Sequence, residues 1–327
     1  MNWLKRFGLD GFMLALVGTV GLAVAWPALG RTGGLVRIEY FTNYGVALVF
    51  LLYGLTLSPQ KLREGLFNWR LHLVVQLSTF LLFPLLGLLL VTLFGAHLTP
   101  ALALGFFYLA ALPSTVSSSV AMTSIARGNV PGAIFNASLS SLIGVFVTPL
   151  WINAYLKANG AAFDLWPVIL KVVLLVLLPI VLGQVLRPLL IRWLTQHAVL
   201  TKRLDRATIL AIVLNSFSDS VAEGVWAQHG VSTIALIAAV SVGLFVLVYA
   251  LMNLLCRRLG FDRGDTIAST FCGSKKSLAA GVPMAKVMFG AHPALGLIIA
   301  PIMVYHFLQL VIVSYLARQL GEAEAAR

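Results

Sequence analysis

Residues 271–281 read FCGSKKSLAAG, with Lys275 and Lys276 side by side between two apolar stretches. A lysine ammonium is among the groups least tolerated in a hydrocarbon interior. A lysine near the end of a spanning helix can lift its charge to the interface. These two lie roughly ten residues from either end of the apolar run 265–288, too deep for both to escape that way. Gly273, just before them, is a helix breaker. The stretch therefore reads as an interrupted membrane-spanning helix with ionisable groups at the interruption.

Composition agrees that the surroundings are a membrane. Hydrophobic residues make up 60% of the 327 and charged residues 10%, with mean hydropathy +0.95. Water-soluble domains carry roughly 25% charged residues. The formal charge of +12 does not point to nucleic acid, because the basic residues sit in the connections between apolar runs, where they set topology. Cys256 and Cys272 give no disulfide framework and no metal-ligand spacing. No metalloprotease, hydrolase, Walker or dinucleotide motif appears in its required context, and no enzyme is expected.

Apolar segments fall near 10–29, 41–58, 71–94, 100–126, 130–156, 165–186, 206–222, 231–256, 265–288 and 292–317. Each is about long enough to cross a bilayer. The stretch SPQKLREGLFNW, 58–69, is amphipathic and reads as an interfacial helix. Arginine and lysine concentrate in one alternate set of connections, which places both termini in the cytoplasm of a bacterial inner membrane. Segments six to ten repeat the starts of segments one to five at an offset of roughly 155–165 residues. Five spans per half predicts two inverted repeats, 1–160 and 161–327, as in many secondary transporters.

Such transporters place their site at the midplane, where equivalent helices of the two halves are interrupted. The fourth segment contains LPSTVSSSVAMTS, 112–124, broken at Pro113 and rich in hydroxyls: Ser114, Thr115, Ser117, Ser118, Ser119 and Thr123. The ninth contains Ser274, Lys275, Lys276 and Ser277 about 160 residues later, at the repeat offset. Unwound backbone must find partners inside a membrane, so it lines a cavity or holds ions, and hydroxyls can bond the backbone or a small cation. Asn215 and Asp219 on the seventh segment face either a substrate cavity or neighbouring helices. No carboxylate lies mid-membrane to pair the lysines; the nearest candidate, Asp219, sits near the end of the seventh segment. His306 reads as a packing histidine or as part of a proton route with Tyr305.

LPSTVSSSVAMTSIARGNVPGAIFNASLSSLIGVFVTPLW and FCGSKKSLAAGVPMAKVMFG resemble the signature segments of the bile acid:sodium symporter superfamily. They are closest to its branch resembling solute carrier family ten member seven and its bacterial relatives. The resemblance extends to LLYGLTLSPQKLREGLFNWRLHLVVQ and LLFPLLG, and so to nearly the whole chain. It implies an all-α polytopic membrane protein with ten spans in inverted repeats. The first, second, sixth and seventh would form a panel domain, and the others a core domain in which the broken fourth and ninth helices cross. The family's bile-acid branch binds two sodium ions beside that crossing, and this sequence departs from its ligands. The sodium-binding glutamate falls near Phe271, and the glutamine–asparagine pair falls on Lys275 and Lys276. A third-segment glutamine falls on Thr79, with Gln76 one turn away. Ser118 and Ser119 match the fourth-segment serine–asparagine pair. Ala133 and Ala137 replace the fifth-segment hydroxyls, with Asn136 and Ser138 flanking the second position as substitutes.

These residues predict a secondary transporter of an organic anion, needing no cofactor, in which Lys275 or Lys276 replaces sodium. Sodium symport of the bile-acid type is the second expectation. A non-transporting membrane regulator or scaffold, for example of calcium handling, is the third.

Overall fold

The structure, a computed structural model, describes residues 11–56, 67–160, 165–224, 230–290 and 292–325. Among them it contains helices and connections but no strand. We number the helices α1 (Gly11–Ala25), α2 (Ile38–Thr56), α3 (Trp69–His97), α4 (Pro100–Ala111), α5 (Ser117–Ile125) and α6 (Val130–Ala158). Then follow α7 (Leu165–Val172, a π-helical turn Val173–Leu177, and Leu178–Gln196), α8 (Ala198–Ala222), α9 (Val231–Arg258), α10 (Arg263–Gly273), α11 (Leu278–Phe289) and α12 (Leu295–Ala325). The interfacial helix expected at 58–69 falls mostly on residues outside those described.

Among the described residues, six helices are long and apolar enough to cross a membrane: α2, α3, α6, α7, α9 and α12. The other expected segments are short, as α1 is, interrupted, as α4/α5 and α10/α11 are, or extended by charged residues, as α8 is. Helix α8 begins eight residues before its apolar run, because Lys202, Arg203 and Arg206 form helix about as readily as leucine does while adding nothing to hydropathy.

Burial is inverted relative to a soluble protein. Leu85, Leu89 and Leu93 on α3, Val181 and Val185 on α7, and Val242 and Val246 on α9 are exposed. Ser114, Asn136, Lys275, Lys276 and Gln309 are fully buried. Leucine faces outward at no cost only where the solvent is lipid, so this is an integral membrane protein.

Two sets of helices pack internally. Helices α2, α7 and α8 contact one another, with α1 against α8. Helix α12 packs on α4, α5, α9 and α11, while α10 packs on α3, α5, α6 and α9. The tightest contact in the first set is glycine on glycine. A Cβ added at Gly54 would meet the Ile180 backbone, and one at Gly183 would meet the backbone of Leu51 and Leu55. Small residues let the two backbones touch, the usual means of association where no hydrophobic effect drives it. Gln184 donates to the Gly54 carbonyl beside them. Gly54→Leu or Gly183→Leu should lower the thermal melting temperature in detergent by several degrees, for an overpacking cost of about 1–3 kcal/mol. Gly243→Leu meets open space and should melt like the parent. Equal melting of all three would refute the backbone contact.

Candidate functional site

The break between α4 and α5 follows from Pro113. Leu112, ahead of it, is extended (φ −71, ψ 154), as a pre-proline residue prefers. The helix restarts at Ser117 with no side-chain cap. The second break runs from Gly273 to Ser277, where the Ser277 hydroxyl caps α11 by accepting from Ala280 N at 3.2 Å.

Each break supplies partners to the other. Ser277 N donates to Pro113 O at 2.9 Å. The Ser114 hydroxyl donates to Cys272 O at 2.6 Å, and that of Ser119 to Phe271 O at 3.3 Å. Neighbouring helices complete the set. Ser114 N donates to the Ser140 hydroxyl on α6 (2.9 Å), and Thr148 on α6 donates to Ala111 O (2.8 Å). Ser78 on α3 donates to Gly273 O (3.0 Å), and Tyr305 on α12 to Ser274 O (2.7 Å). Gln309 on α12 holds both backbone groups of Lys276, accepting from its N–H at 2.9 Å and donating to its carbonyl at 2.8 Å.

The two lysines, both fully buried, differ. Lys276 Nζ donates to three backbone carbonyls: Thr79 at 2.9 Å, Ala110 at 2.7 Å and Leu112 at 2.7 Å. It also lies 4.1 Å from the centre of the Phe83 ring, a cation–π distance. The sequence explains why those carbonyls are free. In the π-helical turn Ser78–Leu82, Phe83 N–H bonds Ser78 O. The next candidate donor for Thr79 O is residue 84, a proline without an N–H. Ala110 O would ordinarily take the N–H of Ser114, which is committed to Ser140. Lys275 Nζ has no hydrogen-bond partner among the described residues. It sits 5.9 Å from the Phe271 ring centre and within electrostatic range of Cys272.

The hydroxyl cluster divides by role. Thr115, Ser118 and Ser119 form a chain, with Oγ1–Oγ contacts of 2.9 and 2.8 Å. Ser117 is exposed, and the buried Thr123 hydroxyl has no partner among the described residues. Ser274 bonds back to Thr270 O at 2.6 Å. Asn136 joins α3 to α6: Gln76 donates to its carbonyl oxygens, and its own amide meets His72 Nδ1 at 3.0 Å and Gly132 O at 3.0 Å. Ser138 is buried and accepts at its backbone carbonyl from the Tyr53 hydroxyl (3.3 Å). Thr79 takes part through its carbonyl, while its hydroxyl bonds Val75 O.

The structure gives Asp219 and His306 specific partners. Asp219 bonds Thr32 N and Oγ1 (2.6 and 2.8 Å) and Asn215 (3.3 Å), and makes no hydrogen bond or ion pair to Lys275 or Lys276. Asp219 has both of the placements open to it: it bonds neighbouring residues in the fold and also lines a polar cavity. Asn215 also binds Gly30 O (3.0 Å) and Lys286 Nζ (2.7 Å). His306 approaches Gln309 at 2.7 Å and Lys276 O at 3.4 Å, beside the crossing. Sequence reasoning missed Gln309, Thr148 and His72. A glutamine in the apolar run VYHFLQLVIV was the available signal for the first.

The comparisons with known proteins agree over nearly the full length. The chain is 45% identical to the Pseudomonas aeruginosa protein PA2026, over 96% of this chain and 93% of that protein. It is 39% identical to "Putative symporter YfeH" of Escherichia coli K12, over 95% and 92%. It is 30% identical to the mouse "Sodium/bile acid cotransporter 7", over 97% and 94%. The model of the SBF-like CPA transporter family matches residues 10–322. The chain belongs to that family, the bile acid:sodium symporter type, whose members here are membrane transporters and not enzymes.

Proposed function

We propose that the chain is a secondary transporter of an organic anion, working by alternating access, in which the amino group of Lys276 stands where sodium would bind. In this reading ten spans form two inverted five-helix repeats, residues 1–160 and 161–327, in a bacterial inner membrane with both termini cytoplasmic. Helices α1, α2, α7 and α8 form the panel, and the remainder forms the core that carries the crossing.

One observation carries the reading: three otherwise unpartnered carbonyls converge on Lys276 Nζ. Carbonyl oxygens replacing a hydration shell are the environment a small monovalent cation takes. A tethered ammonium fills it without an ion having to bind and leave. Lys275 then holds the unmatched charge. The N-termini of α5 and α11 also start at the crossing and add partial positive charge. An anionic solute balances that excess, and transporters of inverted-repeat type use half-helix ends in this way. The second reading is sodium symport, favoured by the names of the relatives from mouse and other vertebrates.

The two lysines should respond oppositely to truncation. Lys276→Met orphans three buried carbonyls at about 1–3 kcal/mol each, so its melting temperature should fall sharply. Lys275→Met removes an uncompensated charge, and such replacements are neutral or stabilising. Its melting temperature should hold or rise. Both should stop uptake when a panel of labelled organic anions is tried in proteoliposomes. An equal thermal loss for both would refute the division of roles.

The parent protein should melt alike in sodium chloride and potassium chloride at neutral pH. A sodium-specific rise would remove the stand-in role of Lys276 and leave the symport reading.

A further inference from the structure

If the panel and core move against each other, the contacts across their seam define which side is closed. The following rests on the transport reading above. The described residues show hydrogen bonds across the seam at four places. Lys286 Nζ on α11 donates to Asn215 Oδ1 on α8 at 2.7 Å. The Ser220 hydroxyl on α8 donates to Pro293 O at 3.0 Å and accepts from Gly296 N at 2.9 Å. The Tyr53 hydroxyl reaches Ser138 O at 3.3 Å. The first three lie at one end of the molecule, beside the connections 31–37 and 289–294. The distribution of arginine and lysine assigns that end to the outside.

The construction at that end is specific. Asn215 is itself fixed by Gly30 O, Thr32 and Asp219, so its carbonyl oxygen is presented to Lys286. Gly296 lies against α8 so closely that a Cβ there would meet Ser220 Oγ at 2.8 Å and Ser216 O at 3.0 Å. The seam bonds run from the Lys286 ammonium to a neutral amide oxygen, with the Asp219 and Glu39 carboxylates nearby, and between the Ser220 hydroxyl and backbone groups, so water can replace them without parting a direct ion pair. Water is at hand: a polar cavity of about 490 Å³, lined by Arg31, Thr32, Asp219, Glu223 and His292, opens next to the seam. At the opposite end the core helices are tied to one another. Asn68 and Asn129 both hold the Asp265 carboxylate (2.5 and 2.6 Å), and Arg263 reaches Leu320 O at 2.6 Å. The core is thus braced to move as a unit while the seam opens.

We propose that Lys286–Asn215 and Ser220–Gly296 form the outer gate of the transport path, closed in this structure, and that Lys286 is a positioning residue for the transport cycle rather than a ligand of the solute.

The test is the access of a thiol reagent to the crossing. The background carries Cys256→Ala and Cys272→Ala, with Ser118→Cys as reporter at the start of α5. A membrane-impermeant maleimide is applied to each face in turn, on intact cells and on inverted vesicles, and modification at position 118 is read by mass spectrometry. Lys286→Met and Asn215→Ala should each raise the outer-face labelling rate several-fold. Oxidised Ser220→Cys/Gly296→Cys should abolish outer-face labelling, keep inner-face labelling, and recover with dithiothreitol. Unchanged outer-face labelling in the single variants, or outer-face labelling that persists through the oxidised lock, overturns the gate. A reporter that labels from neither face in any variant overturns the transport reading itself, and the gate with it.

Discussion

Backbone polar groups inside a membrane must be satisfied by protein, because lipid offers them nothing. Two unwound stretches at the centre of this molecule free such groups, and the surrounding architecture supplies their partners. Helices α3, α6 and α12 each send at least one side chain to a freed carbonyl or N–H: Ser78, Ser140 and Thr148, and Tyr305 with Gln309. The two breaks meet because each satisfies the other, through Ser277 N to Pro113 O and Ser114 to Cys272 O. Neither break would be tolerable alone.

Lys276 is the last member of this set of bonds. Its ammonium collects the carbonyls that two prolines release, Pro84 through the π-helical turn of α3 and Pro113 through the end of α4. A charge that would otherwise be expensive becomes a structural centre because its three donors all find acceptors. Lys275 has the same burial without the acceptors. Two identical residues, adjacent in sequence, thereby hold opposite energetic positions, one contributing to the fold and one drawing on it.

The mechanically distinct parts of the molecule follow from the same chemistry. Contacts within each helix set are close and numerous in kind: glycine against backbone at Gly54 and Gly183, and carboxylate bridges at Asp265. Contacts between the sets are the packing of α8 on α11 and α12 and of α11 on α2 and α7, joined by a few hydrogen bonds. Under the alternating-access reading proposed above, the seam has to be less costly to part than the bodies on either side of it.

The sequence alone determined the environment, the positions of the apolar segments and the two interruptions. Hydropathy, proline and glycine act locally and leave their marks in order along the chain. FCGSKKSLAAG and LPSTVSSSVAMTS were legible as broken, polar and related by a fixed offset before any coordinates. The sequence could not say which lysine was satisfied, because the acceptors lie 164 to 197 residues away, on α3 and α4. It offered Asp219 only as the nearest carboxylate to the lysines, and packing delivers that group to Thr32 and Asn215 at the end of α8. Gln309 and Lys286 were visible only as polar residues in apolar runs. Their roles depend on which backbone group or amide another helix brings within 3 Å, and only tertiary structure decides that.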